Sequence, residues 1–326
     1  MSNLPKISII IPVYNVAEYI AECIQSVMRQ TYKGAIECIL VDDCSPDDSI
    51  AIAERLIKEY SGSISFRILH HDRNRGLSAA RNTGLDASTG DYVYFLDSDD
   101  YITDDCIALL SAPLQESDHD MIIGNYQTTD TPPKRFDYFN KSGNVVGSEN
   151  IFHEYSNRSI PVIACNKLCS AVFLKKYGIF FKEGQLHEDE MWTYKTMCHM
   201  QSCFIVTACT YIYRMRDCSI TNTHNSENLR KKANAYFVTL SYIFDHRYDL
   251  NKIDYNDVKK YYVYLYLSMV CGTTGNFCEE YKYIRLHYNG GKDKNKSFKH
   301  KHFLMPPIVG YCYLRLWSAI RILMKK

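Results

Sequence analysis

The sequence has almost no excess of either charge, because 38 Lys and Arg residues are balanced by 37 Asp and Glu residues in a chain of 326 residues. Nucleic-acid-binding domains usually carry a strong basic excess or a basic stripe. We therefore expect no nucleic-acid partner. Hydrophobic residues make up 46% of the chain and charged residues 23%, which is the composition of an ordinary globular protein with a sizeable core.

The sequence also lacks a CxxC pair among its 13 cysteines, so neither a zinc knuckle nor a redox dithiol is indicated. Several cysteines, such as Cys23 and Cys38, lie inside apolar runs. No signal peptide precedes the first predicted strand, which begins directly after Lys6. These features predict a cytoplasmic protein whose reduced thiols pack as small hydrophobic side chains.

No segment contains the roughly 18 to 20 uncharged apolar residues that are needed to span a bilayer. Near the C-terminus, a basic segment at 291–302 precedes an apolar helix predicted at 308–324, whose polar and basic residues fall on one narrow face. This pattern suits peripheral contact with an anionic membrane, here the inner face of the plasma membrane. Docking of the helix on the protein core is the alternative.

Apolar strands alternate with amphipathic helices through the first hundred residues. We predict strands at 7–13, 36–41, 66–70 and 92–96, and helices at 16–29, from Pro46 to near Tyr60, and at 77–87. The strands are nearly unbroken apolar runs, the first being ISIIIPV, as is typical of a parallel sheet covered on both faces. The order predicts an α/β fold in which right-handed crossovers build a Rossmann-like, mostly parallel sheet flanked by helices.

The pattern loosens further along the chain. The predicted elements there are strands at 121–126 and 204–213, a polar hairpin or loop at 129–147, a strand turning into a helix at 162–177, and helices at 191–200, 227–244 and 255–271. Because only helices are predicted after Asn222, we expect a boundary between a first domain at 1–222 and an α-helical C-terminal region at 223–326.

Acidic residues directly follow two of the predicted strands. Asp42 and Asp43 end the second strand, and Asp97, Asp99 and Asp100 come straight after the fourth. The carboxyl ends of parallel strands share one edge of the sheet, where such folds bind ligands. Carboxylates this close repel one another, and Mg²⁺ or Mn²⁺ held by one or two carboxylates and by substrate phosphates relieves the repulsion. Capping of the following helix is the alternative.

The turn after the first strand lacks a glycine-rich phosphate loop, because the chain has PVYNVAEY at this point. A nicotinamide-dependent Rossmann enzyme has GxGxxG there, so this class is excluded. A sugar nucleotidyltransferase would need a basic glycine-rich loop after the same strand, which is also missing.

Several segments together resemble glycosyltransferase family 2, whose members have the GT-A fold. The matching segments are SIIIPVYNVAEYIAECIQSVMRQTY, ILVDDCSPDDS, NRGLSAARNTGLDASTGDYVYFLDSDDY, CNKLCSAVFLKKYGIFF, LHEDE and YIYRMRDCSIT. Each segment is a weak signal alone, but their order and spacing make the resemblance specific. It covers the first two thirds of the chain and leaves the last third without a motif.

The resemblance implies a nucleotide-diphospho-sugar donor, expected to be UDP-linked. Pro12 and Tyr14 would line the pocket for base and ribose, and Asp42 would accept a hydrogen bond from the ring N–H of the base. Helix capping is a weaker explanation for Asp42, since Ser45 takes the predicted cap position. Arg75 or Arg81 would approach the diphosphate, although each is equally compatible with a surface or sheet-edge position.

The resemblance also implies a metal site, because Asp97 and Asp99 match the DxD motif of the family. Asp99 would contact Mn²⁺ or Mg²⁺ directly, whereas Asp97 would bind a ribose hydroxyl or a metal-bound water. Arg214, together with Arg216 and Ser219, matches a loop that lies near the diphosphate in relatives.

Asp189 falls at the position of the general base in this family. In the implied reaction, Asp189 removes the proton of the acceptor hydroxyl while the sugar is transferred in a single in-line step, with inversion. Glu188 would orient Asp189 or the acceptor. The chain has YRMR where processive synthases have QxxRW, which favours transfer of one sugar to a glycan or lipid-linked acceptor in cell-surface polysaccharide synthesis. A non-catalytic sugar-binding or nucleotide-sugar-binding module of the same fold is the alternative.

Overall fold

The computed structural model describes residues 4–130, 132, 134–136, 142–215, 226–248, 252–271 and 278–287. The basic segment at 291–302 and the helix predicted at 308–324 lie outside the described residues, as do Arg216 and Ser219. By its contacts the chain divides into two compact units, Met1–Asp217 and Cys218–Lys326. The boundary expected near Asn222 stays a prediction, since 216–225 is not among the described residues.

The first unit contains an alternating series of strands and helices. Its strands are β1 Ile7–Val13, β2 Ile36–Asp42, β3 Ser65–His70, β4 Tyr92–Phe95, β5 Tyr101–Ile102, β6 Met121–Thr128, β7 Arg135–Phe136, β8 Gly143–Val146, β9 Lys167–Ser170 and β10 Ser202–Tyr213. Its helices are α1 Ile20–Met28, α2 Ser49–Glu59, α3 Leu77–Ala87, α4 Cys106–Ser111, α5 Ser148–Ser156, α6 Ala171–Lys176 and α7 Glu188–His199, and a 3-10 turn spans Ala112–Gln115.

The ten strands found among the described residues join one sheet in the order β3-β2-β1-β4-β9-β6-β10-β5, with β7 beside β6 and β8 beside β10. The first four strands are parallel, as are β6 and β10, whereas β9 is inserted antiparallel between β4 and β6. The predicted α/β fold with a mostly parallel sheet flanked by helices is therefore confirmed.

The central strand β1 is buried along its whole length because helices cover both faces of the sheet. On one face, Ile9 and Ile11 join a core cluster with Ile24 and Val27 of α1. On the other face, α3 packs so closely that a Cβ added at Gly84 would lie 2.3 Å from Cγ2 of Ile10. The unbroken apolar run of β1 is thus explained by burial on both sides.

Two helices begin later than the sequence pattern predicted. Helix α1 starts at Ile20 rather than at residue 16, after a turn in which Ile20 N donates to Val16 O at 2.9 Å. The backbone N–H groups of Val16 and Ala17 donate to Ser49 Oγ at 3.0 Å and Asp47 Oδ2 at 2.8 Å. Helix α2 follows Asp48, so the cap predicted at Ser45 is wrong. Ser45 instead accepts from the N–H of Asn15 at 2.8 Å, and the loops after β1 and β2 are thereby tied together.

The described residues of the second unit form the helices α8 Ser226–Asp245, α9 Lys252–Cys271 and α10 Cys278–His287. Its buried residues include Leu240 of α8, Val258 and Tyr262 of α9, and Ile284 of α10. Among the described helices of the whole chain, none is long and apolar enough to cross a membrane.

Candidate active site

The chain leaves strand β4 in a tight acidic turn, Asp97 to Asp100. The N–H of Leu96 still donates to Ile10 O in the sheet at 3.0 Å, and the turn closes when Asp100 N donates to Asp97 O at 3.0 Å. The turn therefore places three carboxylates beyond the carboxyl end of the central strands. This is the edge at which parallel sheets bind ligands.

Asp100 connects the acidic turn to the end of β10. Its buried carboxylate accepts hydrogen bonds from the Tyr211 hydroxyl at 2.5 Å and from the N–H of Arg214 at 2.7 Å. Burial raises the pKa of Asp100 well above its ordinary value, and the nearby charges of Asp99 and Asp97 raise it further. Asp100 therefore holds the turn in place, while the three adjacent carboxylates create a locally negative field.

Asp97 is engaged on both oxygens by groups of the protein. Its Oδ1 accepts from Arg81 Nη2 at 2.6 Å, and its Oδ2 accepts from the Cys165 thiol at 2.9 Å. Its side chain is still about one quarter exposed, at 26%. Asp97 is thus fixed in orientation and open to a ligand on one side.

Arg81 joins the acidic turn to the start of α7. Its side chain is 3% exposed, and its Nη1 donates to Glu188 Oε1 at 2.5 Å. Burial alone would lower the pKa of Arg81, but Asp97 and Glu188 hold that pKa well above its ordinary value. Both Nη groups are thus directed at carboxylates of the protein. These contacts do not support the expected approach to a diphosphate, which stays a prediction.

Helix α7 begins with three acidic residues directly after His187, whose backbone lies in the left-handed region at a φ of 55°. Asp189 is partly buried there, and its Oδ1 accepts from the N–H of Glu190 at 3.0 Å. Burial raises the pKa of Asp189 well above its ordinary value, and Glu188 and Glu190 raise it further, against the lowering effect of Arg81 and Lys167. A carboxylate with a raised pKa is a stronger base, as general-base catalysis requires.

Arg214 follows β10 and supports the acidic turn from the side. Its Nε donates to Asp99 O at 2.9 Å, a second nitrogen pairs with Glu22, and its guanidinium lies 5.3 Å and 5.4 Å from the ring centres of Tyr19 and Tyr101. The structure therefore places Arg214 beside the acidic turn. Its role at a diphosphate stays a prediction.

The acidic residues after β2 make a separate set of contacts. Asp42 accepts from the N–H of Ser45 at 2.8 Å and lies 3.0 Å from His70 Nδ1. Buried Asp43 accepts from the N–H groups of Arg75 and Gly76 at 2.8 Å and 2.7 Å, which fixes the entry into α3. The two acidic groups share the sheet edge but are held by different partners.

The remaining residues that were predicted to bind the nucleotide-sugar donor lie at the same edge of the sheet. Pro12 is in register with Val41 of β2 and lies two residues beyond the last β1–β4 pair, Ile10 with Phe95. Tyr14 is 47% exposed in the loop after β1. The guanidinium of Arg75 is at the surface, 3.2 Å from Glu183 Oε1.

The chemistry of the acidic turn fits a divalent cation. In the part of the chain that the structure describes, no group of three or more His, Cys, Asp or Glu side chains is arranged to hold a metal alone. Mg²⁺-type sites commonly use one or two carboxylates and complete their shell with substrate phosphates. Both oxygens of Asp97 are engaged by Arg81 and Cys165, and the direct metal contact expected for Asp99 stays a prediction.

Two polar residues at this site were not singled out from the sequence. Cys165 orients Asp97, and Lys167, which is fully buried in β9, donates to Ile163 O. Burial lowers the pKa of Lys167 to about 8. A lysine inside the apolar run CNKLC was a usable signal, because a buried charge needs a specific reason.

The sequence model of the family described as Glycosyl transferase family 2 matches residues 8–177. The chain belongs to glycosyltransferase family 2. The matched region contains the acidic turn and Arg81, and it ends before α7.

Named relatives agree with this assignment. Glycosyltransferase GlyA of Streptococcus pneumoniae serotype 4 is 33% identical over 76% of this chain, which spans only 36% of the length of GlyA. The poly(ribitol-phosphate) beta-N-acetylglucosaminyltransferase TarP of Staphylococcus aureus is 31% identical over 74% of this chain and 72% of TarP. The crystal structure of S. aureus TarS 1-349 in complex with UDP-GlcNAc has a TM-score of 0.71 at 20% identity, over 87% of this chain and 81% of that one. The last likeness concerns the fold, which is of the GT-A type.

Proposed function

We propose that this family 2 member is an inverting enzyme that moves one sugar from a nucleotide-diphospho-sugar, UDP-linked, to a hydroxyl of a glycan or lipid-linked acceptor. The TarS complex with UDP-GlcNAc and the activity named for TarP support this donor class. The transferred group is then a hexose or an N-acetylhexosamine. The proposed setting is the synthesis of a cell-surface polysaccharide.

The donor side of the proposed site is the edge formed by the loops after β1 and β2. Pro12 and Tyr14 would flank the base and ribose, and Asp42 would accept from the base. Arg75 extends from the loop before α3, so it is the arginine that we assign to the diphosphate. The hydrogen bonds that join these two loops support a preformed pocket.

Mn²⁺ or Mg²⁺ would be held directly by Asp99, and Asp97 would bind a metal-bound water or a ribose hydroxyl. A bound cation of this kind would neutralise charge on the diphosphate. The protein contributes the orientation: Arg81 and Cys165 fix the Asp97 carboxylate, and Arg214 fixes the backbone of Asp99.

The acceptor side of the proposed site is the first turn of α7. Asp189 would take the proton from the acceptor hydroxyl, while Glu188 would orient Asp189 or the hydroxyl. The observation that carries the proposal is the pair of hydrogen bonds from Arg81 to Asp97 and Glu188. They join the donor-side acidic turn to the helix that bears the base.

A panel of nucleotide sugars tests the function directly. The purified protein is incubated with each donor and Mn²⁺ or Mg²⁺, and donor hydrolysis, sugar transfer and protection against thermal unfolding are scored. We expect a metal-dependent response that is largest with a UDP-sugar. No binding and no turnover with any donor would refute the proposal.

The alternative from another class is a non-catalytic nucleotide-sugar-binding module. Such a module would protect against unfolding without hydrolysis or transfer, even with a mixture of glycan acceptors. The presence of both carboxylate pairs, Asp97 with Asp99 and Glu188 with Asp189, favours the enzyme over the binding module.

A peripheral location at the inner face of the plasma membrane remains part of the proposal. It depends on the basic segment 291–302 and the helix predicted at 308–324, which lie outside the described residues. A chain truncated after residue 289 should lose binding to anionic vesicles, and salt should weaken binding of the full chain. Equal vesicle binding by both forms would contradict this location.

A further inference from the structure

Arg81 connects carboxylates that come from separate parts of the chain. Asp97 follows β4, and Glu188 opens α7, more than ninety residues later. The side chain of Arg81 reaches both from helix α3, with donor–acceptor distances of 2.6 Å and 2.5 Å. We name this arrangement, Asp97 with Arg81 and Glu188, the carboxylate bridge.

Only a guanidinium suits the centre of the carboxylate bridge. Its planar fork presents two separate Nη groups that can donate in different directions at once, whereas a lysine ammonium is a single point. Charge is also needed, since a buried carboxylate without a partner is strongly destabilising. The side chains of Asp97 and Glu188 are only 26% and 11% exposed.

The residues next to the bridge reinforce the same connection. Asn82 donates from Nδ2 to Phe181 O at 2.8 Å, and its Oδ1 accepts from Phe181 N at 2.9 Å. The Phe181 ring lies 5.1 Å from the guanidinium of Arg81 and stacks on Trp192 of α7 at 5.1 Å with an interplanar angle of 5°. Phe95 of β4 meets Phe181 edge to face at 5.2 Å. Neighbouring residues of α3 therefore hold both α7 and the segment before it.

We propose that Arg81 is a positioning residue that holds the Glu188–Asp189 turn at a fixed place relative to the acidic turn, and that it does not bind the donor diphosphate. This inference rests on the proposed function, because it assigns Arg81 a task in the same site. The acidic turn and the proposed base Asp189 on α7 then keep their relative positions before any substrate binds. Misplacement of a catalytic group by about 1 Å can reduce turnover by about 10²-fold.

The first test separates turnover from nucleotide affinity. In Arg81→Lys and Arg81→Met, we expect the turnover number to fall by about 10²-fold or more. The Kd for UDP, measured by calorimetry without metal so that any contact of Asp97 with a cation does not enter, should change by less than about threefold. Arg29→Met is the matched control, since Arg29 forms a solvent-exposed pair with Asp104 at 2.9 Å. A loss of metal-free UDP affinity in Arg81→Met that is as large as the loss of turnover would show that Arg81 binds the diphosphate.

The second test measures the bridge without any substrate. Arg81→Met should lower the urea midpoint, and adding Glu188→Gln should restore part of the loss because one buried charge is removed. If Arg81→Met does not fold, the pair Asp97→Asn and Glu188→Gln serves instead. Their midpoint shifts should not add, because both residues are joined through Arg81.

The two tests fail in different ways. Independent, additive shifts for Asp97→Asn and Glu188→Gln would overturn the carboxylate bridge, whatever the enzyme does. If the wild-type chain binds and turns over no nucleotide sugar, the proposed function fails, and coupled unfolding shifts would then support the bridge as a structural link alone, which overturns its positioning role in catalysis.

Discussion

Glu37 forms a cluster of hydrogen bonds and ion pairs at the amino end of the sheet, opposite the candidate active site. Its buried carboxylate accepts from the Ser8 hydroxyl at 2.5 Å and from the N–H of Thr89 at 2.7 Å, and it pairs with Lys6 and Arg67 at 3.3 Å and 3.4 Å. Burial alone would raise the pKa of Glu37. The hydrogen bonds from Ser8 and Thr89 and the charge of Lys6 outweigh burial and lower that pKa from 4.5 to about 2.

This shift gives the pH dependence of stability its sign and size. The difference between 4.5 and about 2 corresponds to at most about 3 kcal/mol. We expect about 1–2 kcal/mol, since solvent screens the charge of Lys6, whose side chain is 38% exposed. Because the folded pKa lies below the unfolded one, the contribution is fully present above pH 4.5 and is lost as the pH falls toward about 2.

Glu37→Gln tests this reasoning by urea unfolding at several pH values. The amide keeps one acceptor but turns an NH₂ group toward Lys6 and Arg67. Near pH 7 we expect the free energy of unfolding to fall by about 1–2 kcal/mol, and the gap to wild type should shrink as the pH drops below 4.5. Glu54→Gln on the exposed face of α2 is the control. An unchanged difference in the free energy of unfolding at about pH 3, or no loss near pH 7, would refute this stabilising role of Glu37.

Three further predictions concern the site and its support. Asp189→Asn should leave UDP binding near normal and reduce sugar transfer by about 10²- to 10⁴-fold, and Glu188→Gln should have a milder effect. Because the pKa of Asp189 is raised, the acid limb of the wild-type pH–turnover profile should lie above the ordinary pKa range of aspartate. Near-normal turnover in Asp189→Asn would show that Asp189 is not the base. Asp99→Asn should abolish most of the Mn²⁺-dependent stabilisation by UDP in calorimetry and leave the fold intact, so unchanged metal-dependent binding would contradict its assignment. Gly84→Ala should lower the free energy of unfolding by about 1–3 kcal/mol, since the new Cβ would lie 2.3 Å from Ile10 Cγ2, and a neutral effect in urea would show that α3 can shift.

Hydrophobic periodicity was sufficient for the first βαβ units. Strand β2 was predicted at 36–41 and spans Ile36–Asp42, and α3 was predicted at 77–87 and spans Leu77–Ala87. These elements are long, strongly patterned and bounded by local signals, so neighbouring residues determine them. The start of α1 was predicted at residue 16 and lies at Ile20; the turn before it is bound by Ser49 and Asp47, some thirty residues away.

The sheet order beyond β4 could not be predicted in the same way. Strand β9 has only four residues, and its insertion between β4 and β6 depends on pairing with residues distant in the chain. Short apolar segments carry the propensity to be strands but no information about their neighbours.

The sequence by itself determined that acidic groups follow β2 and β4 and that these groups share one sheet edge, because parallel strands connected by helices point their carboxyl ends the same way. It also determined the family, through the order of its motifs. Only the tertiary structure decided which charges pair: Arg81 could have faced solvent or a ligand, and it turns to Asp97 and Glu188. The pairing of Arg81 with Glu188, 107 residues later, depends on how α3, β4 and α7 pack, and a buried charge takes the partner that packing brings within reach.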